Sequence, residues 1–257
     1  MPEMSPPPYD FKEAEAGAEG YSNDIEEGGD FRIAYWVEKN VRQAFIRKVY
    51  SIITLQLLVT VGIVSVFTFV TPVKLFVQRN IALYFASYVV FLIIYFILVF
   101  WKSIQRRFPW NIILMTIFTL AMGAMAGIIA SMHETKAVIL AMIITAAVSI
   151  TVTIFSFQTK VDFTTWTGFF AVLATVVIMT SCMSAVVLTY KYVPWLDMLF
   201  AAIGAIVFTL FLAYDTQLLL GHKTITISPE DYVFAAILIY IDVIYIFFYI
   251  LRIVGRR

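Results

Sequence analysis

The chain has 257 residues, of which 61% are hydrophobic and 14% charged, and its net charge is +1. Soluble domains carry about 25% charged residues, so this composition excludes an ordinary soluble enzyme. The near-neutral charge gives no general attraction to nucleic acid.

The first element is polar. Residues 1–31 hold Glu3, Asp10, Glu13, Glu15, Glu19, Asp24, Glu26, Glu27 and Asp30 against Lys12. So acidic a stretch, with few aliphatic side chains, cannot offset the entropy of ordering and is expected to be a disordered tail. It opens with Pro6-Pro7-Pro8-Tyr9. That PP-x-Y pattern favours a polyproline II backbone ending in an aromatic anchor, the shape that WW domains grip. The alternative is a proline-rich spacer. No basic n-region followed by an apolar h-region is visible, so the first apolar segment is expected to act as its own uncleaved targeting signal. Residues 32–48 change character, with Lys39, Arg42, Arg47 and Lys48 around Trp36, Val41, Phe45 and Ile46. This reads as a basic amphipathic helix suited to an anionic lipid surface.

Residues 49–257 form the membrane domain. Seven apolar segments follow, at about 49–71, 81–101, 111–131, 137–157, 165–190, 196–220 and 232–253. Each is long enough to cross a ~30 Å hydrocarbon core as a helix, and in lipid the backbone must satisfy its own hydrogen bonds. Breakers fall between them at Pro72, Pro109, Pro194, Gly221 and Pro229. The fold class is therefore an all-α polytopic membrane protein of seven helices behind an acidic tail. Counting Lys and Arg at segment ends places the N-terminus in the cytosol, with Lys39, Arg42, Arg47, Lys48, Lys102, Arg106, Arg107, Lys160 and Lys223 on that side. Seven full spans then leave Arg252, Arg256 and Arg257 on the opposite side, against the rule. Either the last segments are re-entrant or the rule fails locally.

Gly123 and Gly127 form a G-x-x-x-G in the third segment, expected to serve close packing inside the bundle rather than dimerisation. Cys182, the single cysteine, is expected to be a small buried side chain. His133, Glu134 and His222 read as ordinary loop residues, since no metal-ligand spacing surrounds them.

Two embedded acids stand out, Asp215 in the sixth segment and Asp242 in the seventh. Asp197 lies at a segment start and is expected at the interface. A charged Asp at mid-membrane costs at least about 2.5 kcal/mol on insertion scales, so such a residue is a functional candidate. Asp215 lies roughly 9 Å and Asp242 roughly 15 Å along their helices from the shared loop, so antiparallel neighbours hold them at similar depth. Two carboxylates ~4 Å apart repel by about 4 kcal/mol at an effective dielectric of ~20. The stable arrangement at neutral pH is then one shared proton, and titration belongs to the pair. Loss of that proton drives the helices apart and leaves oxygen ligands suited to Ca²⁺. Two separately protonated acids, each bonded to nearby backbone or hydroxyls, are the alternative.

Several motifs resemble those of a known family. Ala44-Phe45-Ile46-Arg47-Lys48-Val49-Tyr50, Arg106-Arg107-Phe108-Pro109-Trp110-Asn111, Phe155-Ser156-Phe157-Gln158-Thr159-Lys160-Val161-Asp162-Phe163-Thr164, Asp215-Thr216-Gln217-Leu218-Leu219-Leu220-Gly221 and Ser228-Pro229-Glu230-Asp231-Tyr232-Val233-Phe234-Ala235-Ala236 are similar to Lifeguard motifs. The resemblance covers residues 32–257 and points to the glutamate-receptor-associated subgroup of the transmembrane Bax inhibitor motif family. It implies a seven-helix Bax-inhibitor-like bundle in endoplasmic reticulum, Golgi, endosomal or lysosomal membranes, or at the plasma membrane. It also implies a Ca²⁺ leak and suppression of apoptosis, with no cofactor beyond Ca²⁺ itself. The family's paired aspartates match Asp215 and Asp242, which the resemblance casts as a pH-sensitive latch and a Ca²⁺ site. An arginine near the second segment engages that latch in relatives, and Arg106 and Arg107 are the candidates here. Implied partners are the bilayer, Ca²⁺, WW-domain ubiquitin ligases, and apoptosis regulators or receptors.

Two other functions compete with a Ca²⁺ leak. An intramembrane aspartyl protease also uses two membrane aspartates, one in a Tyr-Asp pair such as Tyr214-Asp215, but its second sits in G-x-G-D. This chain has Ile239-Tyr240-Ile241-Asp242 there, and the expectation is that it is not an enzyme. A scaffold for receptors or ubiquitin ligases would use the tail but leaves the aspartates unexplained.

Overall fold

The structure is a computed structural model and describes residues 11–190, 193–221 and 226–255. Pro6, Pro7, Pro8 and Tyr9 lie outside the described residues, as do His222 and Lys223. Nine helices run α1 (Phe11–Phe69), α2 (Thr71–Arg79), α3 (Ile81–Phe100), α4 (Lys102–Arg106), α5 (Trp110–Ser131), α6 (Thr135–Gln158), α7 (Thr167–Tyr190), α8 (Pro194–Leu220) and α9 (Tyr232–Val254) among the described residues. Short 3-10 turns at Phe163–Trp166 and Pro229–Asp231 lead into α7 and α9. No strand occurs among the described residues. Seven helices are long and apolar enough to cross a bilayer, and their bounds fall close to the seven hydropathy segments.

The chain divides into two units, Met1–Ala44 and Phe45–Arg257. In the first, the backbone is helical from Phe11 onward, where composition predicts a disordered tail. Alternating Ala and Glu at Phe11-Lys12-Glu13-Ala14-Glu15-Ala16 are strong helix formers, and no proline interrupts residues 10–71.

In the second unit the breakers act as their chemistry requires. Pro72 and Pro194 sit in the first turns of α2 and α8, where a missing N–H is harmless. Gly221 ends α8 in the left-handed conformation, φ 75°, which a residue with a Cβ adopts at a cost.

The seventh span, which ends with α9, has 67% of its apolar window buried, against 11% for the fifth. One face of α9 (Ala235, Ala236, Ile239, Val243, Ile246) packs with residues of α1, α5, α6 and α8. The other (Val233, Ile237, Tyr240, Ile244) packs with α3 and α5. A helix apolar all round belongs at the centre, so α9 is the axle of the bundle. Gly123 and Gly127 let α5 approach α1. A Cβ at Gly123 would lie 2.8 Å from Ile63 Cδ1, and one at Gly127 2.8 Å from Phe67 Cδ2. The motif thus serves packing within the bundle.

Cys182 is exposed rather than buried. The expectation came from soluble proteins, where an apolar side chain seeks the interior. The span carrying Cys182 is the least buried of the seven, and lipid accepts the thiol.

The ends of the helices sort cleanly onto two faces. On the near face, which holds Phe45–Tyr50, the Lys48 ammonium lies 3.3 Å from the Tyr232 ring centroid and Arg106 meets Asp231. On the far face Gln78 donates to the Ser131 carbonyl at 2.5 Å, Lys74 to that of His133, and His133 packs on Gly255. α9 therefore runs unbroken from near face to far face. Its 23 residues span about 35 Å, which sets aside a re-entrant last segment.

Candidate functional site

Asp215 lies five residues before the end of α8, and Asp242 lies midway along the antiparallel α9. These two helices pack directly on one another. Both side chains are buried, at 8% and 4% exposure. The two carboxyl groups are close enough to interact across the contact between these helices. Among the described residues no cation is found paired with either, whereas Arg106 pairs with Glu230 and Asp231, and Arg252 with Asp197. Tyr95 of α3 sits within electrostatic range of both acids.

The two candidate latch arginines are elsewhere. Arg106 donates from Nε and Nη2 to Asp231 at 2.9 and 3.1 Å, and its Nη1 pairs with Glu230 at 2.5 Å. The Asp231 carboxylate holds the Arg106 guanidinium above its ordinary value. Arg106 belongs to α4 on the near face, where the acids opening the seventh span meet it first, and the aspartate pair lies deeper. Arg107 is exposed.

Asp197, in the first turn of α8, is 6% exposed and pairs with Arg252 of α9, so it sits at the far end of the bundle and is covered by protein. Arg252 stands on the far face beside a carboxylate.

Sequence reasoning passed over Gln217. It is fully buried, accepts from the Phe163 N–H at 2.8 Å and donates to the Val161 carbonyl at 2.9 Å. Ser156 donates to the Ala213 carbonyl. The stretch from Ser156 to Thr164 is thus fastened against α8 just beneath Asp215, with Asp162 capping Thr164 at 2.9 Å. The available signal was adjacency, since Gln217 stands two residues after the embedded acid.

A polar knot lies deeper, between α1, α5 and α9. Gln56 donates to Thr119 at 2.9 Å, and the Thr60 and Tyr240 hydroxyls meet at 2.7 Å. Seven buried side-chain oxygens have no hydrogen-bond partner: those of Tyr50, Gln56, Thr68, Thr145, Ser149 and Thr216, and Oδ2 of Asp242. Each such group costs about 1–3 kcal/mol.

As a metal centre the pair is incomplete. No group of three or more His, Cys, Asp or Glu converges among the described residues, whereas Ca²⁺ takes 6–8 oxygens. His133 has its ring nitrogen on the Ile129 carbonyl at 2.9 Å, an ordinary loop role.

Comparison with known proteins decides the family. A family profile described as "Inhibitor of apoptosis-promoting Bax1" matches residues 42–257. The chain belongs to the Bax inhibitor (lifeguard) family. It is 55% identical to human Protein lifeguard 3 over 257 residues, which is all of this chain and 83% of that protein. It is 53% identical to Protein lifeguard 3 of Mus musculus, over all of this chain and 82% of that one. Protein lifeguard 4 of Mus musculus is 33% identical over 83% of this chain and 85% of its own length. Bax inhibitor family membership makes the seven-helix bundle an integral membrane protein of an apoptosis-regulating group.

Proposed function

We propose that this Bax inhibitor family member is a pH-sensitive Ca²⁺ leak protein that restrains apoptosis by setting the Ca²⁺ content of an internal store. The observation that carries the reading is the meeting of Asp215 and Asp242 in a buried site without a cation. A shared proton holds α8 and α9 together. When it leaves, two like charges remain in a low-dielectric interior, and separation is the available relief. The separated carboxylates then offer oxygen to a divalent cation on its way out through the near face. Opening therefore rises with pH. Arg106, held by Glu230 and Asp231, steadies the start of α9 and does not latch the acids.

Ca²⁺ flux into proteoliposomes across a pH series tests this. Wild-type flux should climb as pH rises, and Asp242→Asn should flatten the profile. Equal profiles for wild type, Asp215→Asn and Asp242→Asn would discard the reading.

In this reading the near face is cytosolic and the membrane is that of the endoplasmic reticulum, Golgi or endosomes. A cysteine at Ser103, on a Cys182→Ser background, should be labelled from the cytosolic side. Pro6-Pro7-Pro8-Tyr9 serves there as a ligand for WW-domain ubiquitin ligases. Tyr9→Ala should abolish WW binding by a peptide of residues 1–20 and leave flux intact. A peptide that does not bind at roughly millimolar concentration, about 4 kcal/mol of binding energy, makes the motif a spacer.

A further inference from the structure

We infer that a row of hydroxyls on α6, formed by Thr145, Ser149 and Thr153, lines the route of an ion beyond the aspartate pair, and that this structure holds the route shut. The inference rests on the Ca²⁺ leak reading and supplies its path.

The three residues recur every four positions and so share one face of the helix. What marks them is a bond not made. Elsewhere in these spans a hydroxyl returns to the carbonyl one turn back. Thr54, Thr60, Thr116, Thr119, Thr175, Thr180 and Thr209 all do so. On α6 itself, exposed Thr151 donates to the Ala147 carbonyl at 2.8 Å. Thr145 and Ser149 make no hydrogen bond although their oxygens are buried.

The row joins the aspartates at one end. Tyr50 Oη of α1 approaches the hydroxyls of Thr153 and Thr216 without a well-formed hydrogen bond. Thr216 follows Asp215 in sequence, and its own oxygen is unpartnered, as is Oδ2 of Asp242. At the other end Thr145 and Ser149 border a half-open cavity of about 250 Å³ whose remaining walls, Thr60 apart, are apolar, among them Val64, Val243 and Phe247. Opposite them Thr60 of α1 borders the same cavity, and elsewhere on that helix Gln56 Oε1 and Thr68 Oγ1 are unpartnered. All seven orphaned oxygens among the described residues thus lie on α1, α6, α8 and α9.

Buried polar atoms without partners call for an explanation, and a second arrangement that satisfies them is the economical one. An ion shedding its hydration shell needs oxygen donors along its way. Parting α6 from α1 and α9 would offer it the α6 row together with the Thr60 hydroxyl.

The test uses the full chain in proteoliposomes on the Cys182→Ser background. Ser149→Cys and Thr145→Cys are treated with a small, charged, membrane-impermeant thiol reagent at a pH that supports flux, with Thr151→Cys as the lipid-facing control. Expected is modification of Ser149→Cys and Thr145→Cys with loss of Ca²⁺ flux, and none of Thr151→Cys. If both row cysteines stay inert in a flux-carrying protein, or react only with a membrane-permeant reagent, the row faces packing or lipid and the inference is overturned while the leak reading stands. Modification in a protein that carries no Ca²⁺ overturns the leak reading and leaves the hydrated row standing.

Discussion

Three aspartates of this chain are buried among apolar helices, and they answer the same electrostatic problem in two ways. Asp197 sits beside Arg252, and the charges of the pair cancel across the α8–α9 contact. Asp215 and Asp242 sit beside each other on the same two helices, nearer the other face, with no cation to cancel them. One end of the α8–α9 interface is therefore fixed by an attraction that pH does not readily alter. In the proposed mechanism the other is held by a proton that can leave. A helix pair pinned at one end and releasable at the other can open like tongs, and Arg252–Asp197 is the rivet.

The largest effect should come from removing the contrast at the releasable end. Two full charges at ~4 Å repel by about 4 kcal/mol at an effective dielectric of ~20. Wild-type thermal stability in detergent should therefore fall as pH rises and the shared proton leaves. Asp242→Asn should be level across the same range, and Asp215→Asn plus Asp242→Asn should add little to either alone because the pair acts as a unit. A wild-type profile as level as that of the variant would put the two ends on the same footing and end the comparison.

The rivet is the next target. Arg252→Ala leaves Asp197 buried without its partner. With Arg252 partly solvated, the loss should be about 2 kcal/mol, below the range for a fully buried pair. It should appear as a lowered melting temperature, recovered when Asp197→Asn is added. Failure of that recovery would mean that Arg252 acts through packing alone.

Gly204 sharpens the same point sterically. A Cβ there would run into the Tyr249 ring one turn before Arg252, so Gly204→Ala should cost about 1–2 kcal/mol by overpacking. It should leave the pH dependence of stability unchanged. The smallest effect belongs to Arg106→Ala. Its ion pairs are solvent-exposed, so the melting temperature should move little, and any movement should vanish at high salt.

Much of this was legible in the sequence because membranes make few concessions. An apolar run of about 20 residues has one use, and a mid-membrane acid is too costly to be incidental. Antiparallel neighbours and helical rise were enough to bring Asp215 and Asp242 to one level. An inward Cys182 follows from a rule that holds in water, where burial follows polarity, and the residue is exposed. The place of Asp197 at a segment start is readable, but its partner is not, because Arg252 comes from a helix more than 50 residues later in the chain. Arg106 was read for its charge and position, but Glu230 and Asp231 were closer to it than the pair, and nothing in a linear pattern ranks such competitors. Gln217 escaped notice because its partners are backbone atoms of the 159–163 connection, which carry no residue-type signal.

The central position of α9 bears on how the molecule is made. Six spans leave the ribosome before the one around which they pack. Until α9 arrives, Asp215 has no Asp242, Asp197 has no Arg252, and the Thr60 hydroxyl has no Tyr240. A nascent chain of six spans therefore shows the membrane a set of unmatched polar groups and an unfilled seam, the features by which surveillance machinery can tell an unfinished protein from a finished one. Insertion of the final helix closes all three deficits at once, so maturation of this bundle should be abrupt rather than gradual.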